Sequence, residues 1–227
     1  MISLLALAIA AQEVPPVATP GEVLRCAEDA SVKSALCRAT VAQGEGRHAD
    51  SARFFEEAAL LAADAGEQAR ANAAAGAMWL AAGDPTRALG PIDAALASQT
   101  LDAMQRGFTL IDRATALYGL SRADEALVAL DDAATLVDQD PYLWFLGGRI
   151  ALDLERFDDA ELRVGNGLLL APDSPELLHL AGLVAIAKGE PDSAKDYWRK
   201  AVLAAPGHPA ARAAGQGLQL LVGDEAE

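Results

Sequence analysis

The chain is poor in the residues on which most binding chemistries depend. Of its 227 residues only two are cysteine and three histidine, and neither a Cys-x-x-Cys nor a His-Glu-x-x-His string occurs. The ligand spacing of a zinc site is therefore missing. Basic residues number 18 against 33 acidic ones, a formal net charge of −15. That balance repels a phosphate backbone and an anionic bilayer surface, both of which are bound through Lys and Arg clusters. Gly44-Glu45-Gly46 and Gly215-Gln216-Gly217 lack the third glycine of a dinucleotide turn and the Gly-Lys-Ser/Thr ending of a phosphate loop, so each reads as turn or helix-end punctuation. No Gly-x-Ser-x-Gly elbow marks a nucleophile, and no alternating Asp loop closed by Glu marks a calcium site. These absences point away from an enzyme and from any cofactor, metal or nucleic acid.

Aromatic residues make up 5% of the chain while apolar residues in total reach 52%. Much of that apolar content is alanine, which suits helices packed closely together. Met1 to Ala11 is an apolar run ending at Gln12, Glu13, Pro15 and Pro16, too short for the ~20 residues of a membrane-crossing helix. Its Ala8-Ile9-Ala10 ending fits the small-residue rule of an export signal, although no Lys or Arg precedes the run. Residues 1–10 read as a signal peptide, with a frayed apolar terminus as the alternative. Residues 11–21, with three prolines, read as an extended linker, and the folded body is expected over 22–222 with an acidic tail at 223–227. Export places the protein in the periplasm or outside the cell, with the cytoplasm as the alternative. An even cysteine count in an exported chain favours a Cys26–Cys37 disulfide, tying the first helix to the second, over two buried thiols.

The dominant signal is a period. Pro141, Pro175 and Pro209 stand 34 residues apart, as do Ala126, Ala160 and Ala194, while Gly148 and Gly182, and Pro172 and Pro206, keep the same step. A 34-residue period is that of a two-helix solenoid repeat. Asp140 and Ser174 stand as N-caps before Pro141 and Pro175, Glu155-Arg156 and Gly189-Glu190-Pro191 make the turns, and Pro172 and Pro206 end the second helices. Gly83-Asp84-Pro85 repeats the turn chemistry upstream and sets Ala88 in the place of Ala194. The step from Ala88 to Ala126 is 38 residues, four more than the period, a surplus expected in a loop or lengthened helix around Ser98 to Arg106.

Trp144, Gly148, Ala151, Ala160, Gly167 and Pro172 fall in the order and spacing of the tetratricopeptide repeat, and the chain resembles a member of that family from about Ser31 to Pro206. The resemblance implies an all-α, right-handed α-α superhelix of about five helix pairs plus a C-terminal capping helix, formed from Pro209 to about Val222. Departures are Gly147 and Val164, where Leu and an aromatic are usual, and Gly167 where Ala is usual.

Helical spacing divides the first helix of each late pair into two faces. One carries Leu110, Ala114 and Leu117, then Trp144, Gly148 and Ala151, and packs within the repeat. The other carries Phe108, Ile111, Thr115 and Tyr118, then Tyr142, Phe145, Arg149 and Leu152, then Glu176, His179, Leu183 and Ile186. The resemblance makes this second stripe the concave face. Aromatics with Arg are what protein interfaces favour, so Arg70, Phe108, Ile111, Thr115, Tyr118, Tyr142, Phe145, Arg149 and His179 are the candidate groove for a peptide or helix of another protein. Arg70 and Arg149 would orient an acidic group. The competing readings are a stripe covered by tight curvature or by the terminal helix, and a self-associating scaffold without a peptide ligand. The acidic stretch from Asp124 to Glu161 reads as caps and solvated outer faces, with a docking place for a basic partner as the sharper alternative.

Overall fold

The computed structural model describes residues 26, 27 and 29–223. Residues 1–25, on which the signal-peptide and linker readings fall, together with residue 28 and residues 224–227 of the acidic tail, lie outside the described residues. Among those described, eleven helices follow one another without a strand: α1 (Val32–Gly44), α2 (His48–Leu61), α3 (Ala65–Ala81), α4 (Pro85–Ala97), α5 (Ala103–Gly119), α6 (Ala123–Val137), α7 (Pro141–Asp153), α8 (Phe157–Leu170), α9 (Pro175–Ala187), α10 (Pro191–Ala204) and α11 (Pro209–Gly223).

The punctuation works as its chemistry dictates. Oδ1 of Asp140 accepts from the Tyr142 amide at 2.9 Å, Ser174 Oγ from that of Leu177 at 3.3 Å, and Asp64, Asp84 and Asp102 cap α3, α4 and α5 likewise. Proline opens α4, α7, α9, α10 and α11, where its missing N–H is no loss. Within each pair a three-residue turn reverses the chain through one residue of positive φ: Gly46, Gly83, Ser121, Glu155 and Gly189. The two amides that follow the helix then bond back to its last turn, as Glu155 N to Leu152 O and Arg156 N to Ala151 O do, both at 2.9 Å. The four-residue surplus is helical: α5 has 17 residues where α7 and α9 have 13.

Each first helix packs on its own second helix. First helices also touch across pairs, α3 on α5, α5 on α7, α7 on α9 and α9 on α11, while second helices meet the first helix of the following pair. Contacts run between helices one or two apart in the chain, so the molecule is an open stack, not a closed bundle. The first helices, packed on one another, form its inner side. The core is a series of clusters, one after another along the stack: Trp79, Ala88 and Ile92, then Leu117, Leu130, Leu143 and Ile150, then Leu177 and Leu180, then Trp198 with Ala194 and Ala214.

Departures from the repeat pattern have steric causes. A β-carbon on Gly147 would lie 3.0 Å from Cδ of Arg163, a buried side chain whose guanidinium bonds Asp159 at 2.8 Å and Asp131 of the preceding pair at 2.7 Å. At Gly167 it would meet Leu177 Cδ2 at 2.7 Å, and at Gly182 Trp198 Nε1 at 2.1 Å. α11 continues the stack against α9 and α10 and does not fold back into the concave side. Its buried contacts are Ala211 and Ala214, with Leu218 and Leu221 partly covered, whereas Ala210 and Ala213 are only half-buried.

The disulfide requires a correction. Cys26 and Cys37 are bridged, with Cα atoms 5.6 Å apart. But Cys26 precedes α1, so the bridge ties the entering chain to the first helix and does not join α1 to α2. The Ser34 hydroxyl donates to the Ala27 carbonyl beside it, closing the same corner.

Candidate functional site

Counting back from the first residue of each second helix (Pro85, Ala123, Phe157, Pro191), Arg70, Phe108, Tyr142 and Glu176 all occupy the fifteenth position before it. Equivalent rows are Ala73, Ile111, Phe145 and His179; Ala77, Thr115, Arg149 and Leu183; and Leu80, Tyr118, Leu152 and Ile186. Four parallel rows thus cross the inner side of α3, α5, α7 and α9. The early pairs contribute alanines to it, and the aromatic content begins at α5.

The structure keeps most of this face accessible. Phe108 is 46% and Tyr142 49% exposed, Arg70 and Arg149 are exposed, and Thr115, Tyr118, Phe145 and His179 are half-buried. Ile111 is the exception. It is 4% exposed and belongs to the core shared by α5, α6 and α7, because the helical stripe at this position turns under the neighbouring pair. Thr115 gives its hydroxyl to the Ile111 carbonyl at 3.0 Å. Arg70, on α3, lies on the same row as Phe108 but makes no polar contact with the late-pair residues.

Tyr142 and Phe145 rings lie 6.3 Å apart, tilted by 31°. Deeper along the face, Tyr118 donates its hydroxyl to Asp153, whose other oxygen accepts from Arg149 Nε at 3.3 Å. This triad links α5 to α7. Burial and then the Asp153 carboxylate push the Tyr118 hydroxyl above its ordinary pKa. Burial and then the Arg149 charge hold His179 below 6.5, so its imidazole is neutral at pH 7 and offers one donor and one acceptor. The His179 carbonyl accepts from Trp198 Nε1 at 3.1 Å, which fixes the backbone beneath it.

Phe108 also borders a depression of about 560 Å³ at the edge of the face, where α5 begins, α6 ends and α7 begins. Met104, 64% exposed, and Leu136, 36% exposed, join Phe108 and Pro141 there, with Asp138 and Asp140 on its margin. Sequence reasoning missed Met104 and Leu136. Met104 falls in the extra turn of α5, which no repeat position describes, and Leu136 reaches the site from a second helix. A smaller crease of about 330 Å³ lies between α8, α9 and α10, lined by Val164, Leu168, Val184 and Tyr197 and closed at one side by Lys188, which binds Asp158 at 2.9 Å and Glu161 at 2.5 Å. Among the described residues no three metal-ligating side chains converge.

Paired helices at a 34-residue step, stacked into an open array with small residues at the crossings, define the tetratricopeptide-repeat fold, and this chain has it. Solved structures agree. MamA residues 41 to the end from Desulfovibrio magneticus RS-1 superpose with a TM-score of 0.69 at 15% identity over 81% of this chain and 99% of that one. YrrB, a TPR protein with an unusual peptide-binding site, gives 0.64 at 20% identity, covering 83% and 92%. PilF of Pseudomonas aeruginosa gives 0.66 at 14% identity, covering 81% and 80%. No protein-family model matches the chain, and no curated protein matches its sequence.

Proposed function

We propose that the protein is a non-enzymatic interaction adaptor whose concave face receives a helix or extended segment of another protein. One observation carries this reading: Phe108 and Tyr142, both exposed, hold the same position on the neighbouring helices α5 and α7, and Tyr142 pairs with the half-buried Phe145, with the exposed Arg149 one turn further along α7. A monomer rarely leaves such a surface uncovered, and large aromatics with Arg are the side chains that dominate binding energy at interfaces. Thr115, Tyr118 and neutral His179 add polar groups able to fix a register, and Arg70 extends the row toward the first pairs. The fold supports the reading, since peptide binding is attributed to YrrB. The Cys26–Cys37 bridge, together with the apolar Met1 to Ala10 segment, supports action outside the reducing cytosol, in a bacterial cell envelope.

The test is affinity capture from an envelope extract on the full chain and, in parallel, on the Tyr142→Ala, Phe145→Ala double variant. At least one protein held by the wild type is expected to be lost by the variant at unchanged thermal melting. An identical set of captured proteins on both would remove the groove.

A second reading, the self-associating scaffold, draws on the outer side. Leu169 and Leu203 occupy the same position of successive second helices and are 83% and 80% exposed. Light scattering at several concentrations separates the two: a mass that grows with concentration and reverts in the Leu169→Ser, Leu203→Ser variant selects the scaffold, and a persistent monomer removes it.

A further inference from the structure

Resting on the groove reading above, the geometry points to the chemistry of the occupant: a partner segment in which a large apolar residue is flanked by Lys or Arg, its apolar side chain seated in the depression between α5, α6 and α7. The floor there is apolar, formed by Met104, Phe108, Leu136 and Pro141. Its volume of about 560 Å³, open to solvent, leaves room for one large side chain laid against the floor. The margin is negative. Asp138 and Asp140 stand on it, and none of the lining residues is basic. The Asp138 carboxylate takes one bond, from the Gln139 amide at 3.2 Å. The C-terminal end of α6 presents the negative pole of its dipole here, and the positive poles at the starts of α5 and α7 are capped by the Asp102 and Asp140 carboxylates, so the sign of the margin rests on the Asp138 carboxylate.

Charge then selects among occupants. Residues 1–25 of this chain hold Glu13, Glu22 and one basic side chain, Arg25, which adjoins Cys26, a residue bridged to Cys37 of α1 two helix pairs before α5, and residues 224–227 are Asp-Glu-Ala-Glu, so neither terminus brings a cation to the margin. A second copy brings a net charge of −15 to an equally charged surface. A separate protein presenting a cation beside its anchor satisfies both the floor and the margin.

A displayed library of random 12-residue peptides, selected on the full chain at low salt, tests this. The expected winners pair Leu, Ile, Met or Phe with an adjacent Lys or Arg. A synthetic winner titrated by fluorescence anisotropy should weaken about 10-fold or more on Asp138→Lys and on Met104→Ser, Phe108→Ser, should weaken with added salt, and should be unaffected by Leu169→Ser on the outer side. Lys at position 138 complements the α6 dipole, so that variant retains its fold, and melting curves verify it for each protein. Winners that are acidic, indifferent to Asp138→Lys and lost on Tyr142→Ala, Phe145→Ala would overturn this inference and leave the groove standing. Winners indifferent to both sets, or no enrichment at all, would overturn both.

Discussion

At the scale of single residues, the repeat works as an internal control. Leu146 and Leu180 stand one and two periods after Asp112, and both are buried in the contact between pairs. Asp112 is a carboxylate in a leucine's place, and burial pushes its pKa from an ordinary 3.8 up to about 6. With the folded value above the unfolded one, the native state binds the extra proton, so this group's contribution to stability is best below pH 4 and declines as pH rises toward 6. A two-unit shift corresponds to at most about 3 kcal/mol. Asp112→Asn is expected to stabilise the protein by about 1–2 kcal/mol in urea unfolding at pH 7.5 and by little at pH 4.5; an equal gain at both would show that the carboxylate is not buried as described. Trp198 is the opposite case, a large side chain fitted over Gly182. Gly182→Ala is expected to cost about 2–3 kcal/mol by overpacking and Trp198→Ala about 3–5 kcal/mol by cavity formation. Unchanged melting in either would refute the register of the last pairs.

At the scale of elements, five turns share one backbone path, yet only three place glycine at the residue of positive φ. Glu155, at +58°, holds a conformation that costs an L-residue about 1 kcal/mol. Glu155→Gly should raise the melting temperature by a few degrees, and Gly189→Ala should lower it; Tm values that move the other way would mean the turns differ in path. The turns at Gly83 and Gly189 are legible because Gly, Asp and Pro act through the local backbone, and the one at Glu155 because it keeps the 34-residue period, whereas the turn at Ser121, without glycine or proline, is not marked in the sequence. The helix pairs follow from them, while the four extra residues of the 38-residue step, open between a loop and a longer helix in the sequence, lie in α5. What the sequence did not disclose depends on neighbouring elements. Ile111 has the helical phase of a groove residue and is buried because α6 and α7 close over it. The depression at Met104 and Leu136 joins two helix ends from different repeats, and no single-helix periodicity describes it. Gly147 stands where Leu is usual because Arg163, with its two carboxylates, occupies the space.

At the scale of the whole molecule, contact only between near neighbours makes stability local. The Cys26–Cys37 bridge closes a short ring at one end and contributes somewhat under ~3 kcal/mol in the chain-entropy model. Its removal by Cys26→Ser, Cys37→Ser is expected to speed amide exchange in α1 and α2 and to leave α7 to α10 unchanged; acceleration throughout would mean one cooperative unit. The functional account depends on the inner aromatics being accessible in the whole stack. Hydroxyl-radical footprinting of the monomer tests it most directly. Phe108 and Tyr142 should be modified readily, while Trp79 and Trp198, at 3% and 5% exposure, should be protected. Protection of Phe108 and Tyr142 to the level of Trp198 would contradict an open concave face.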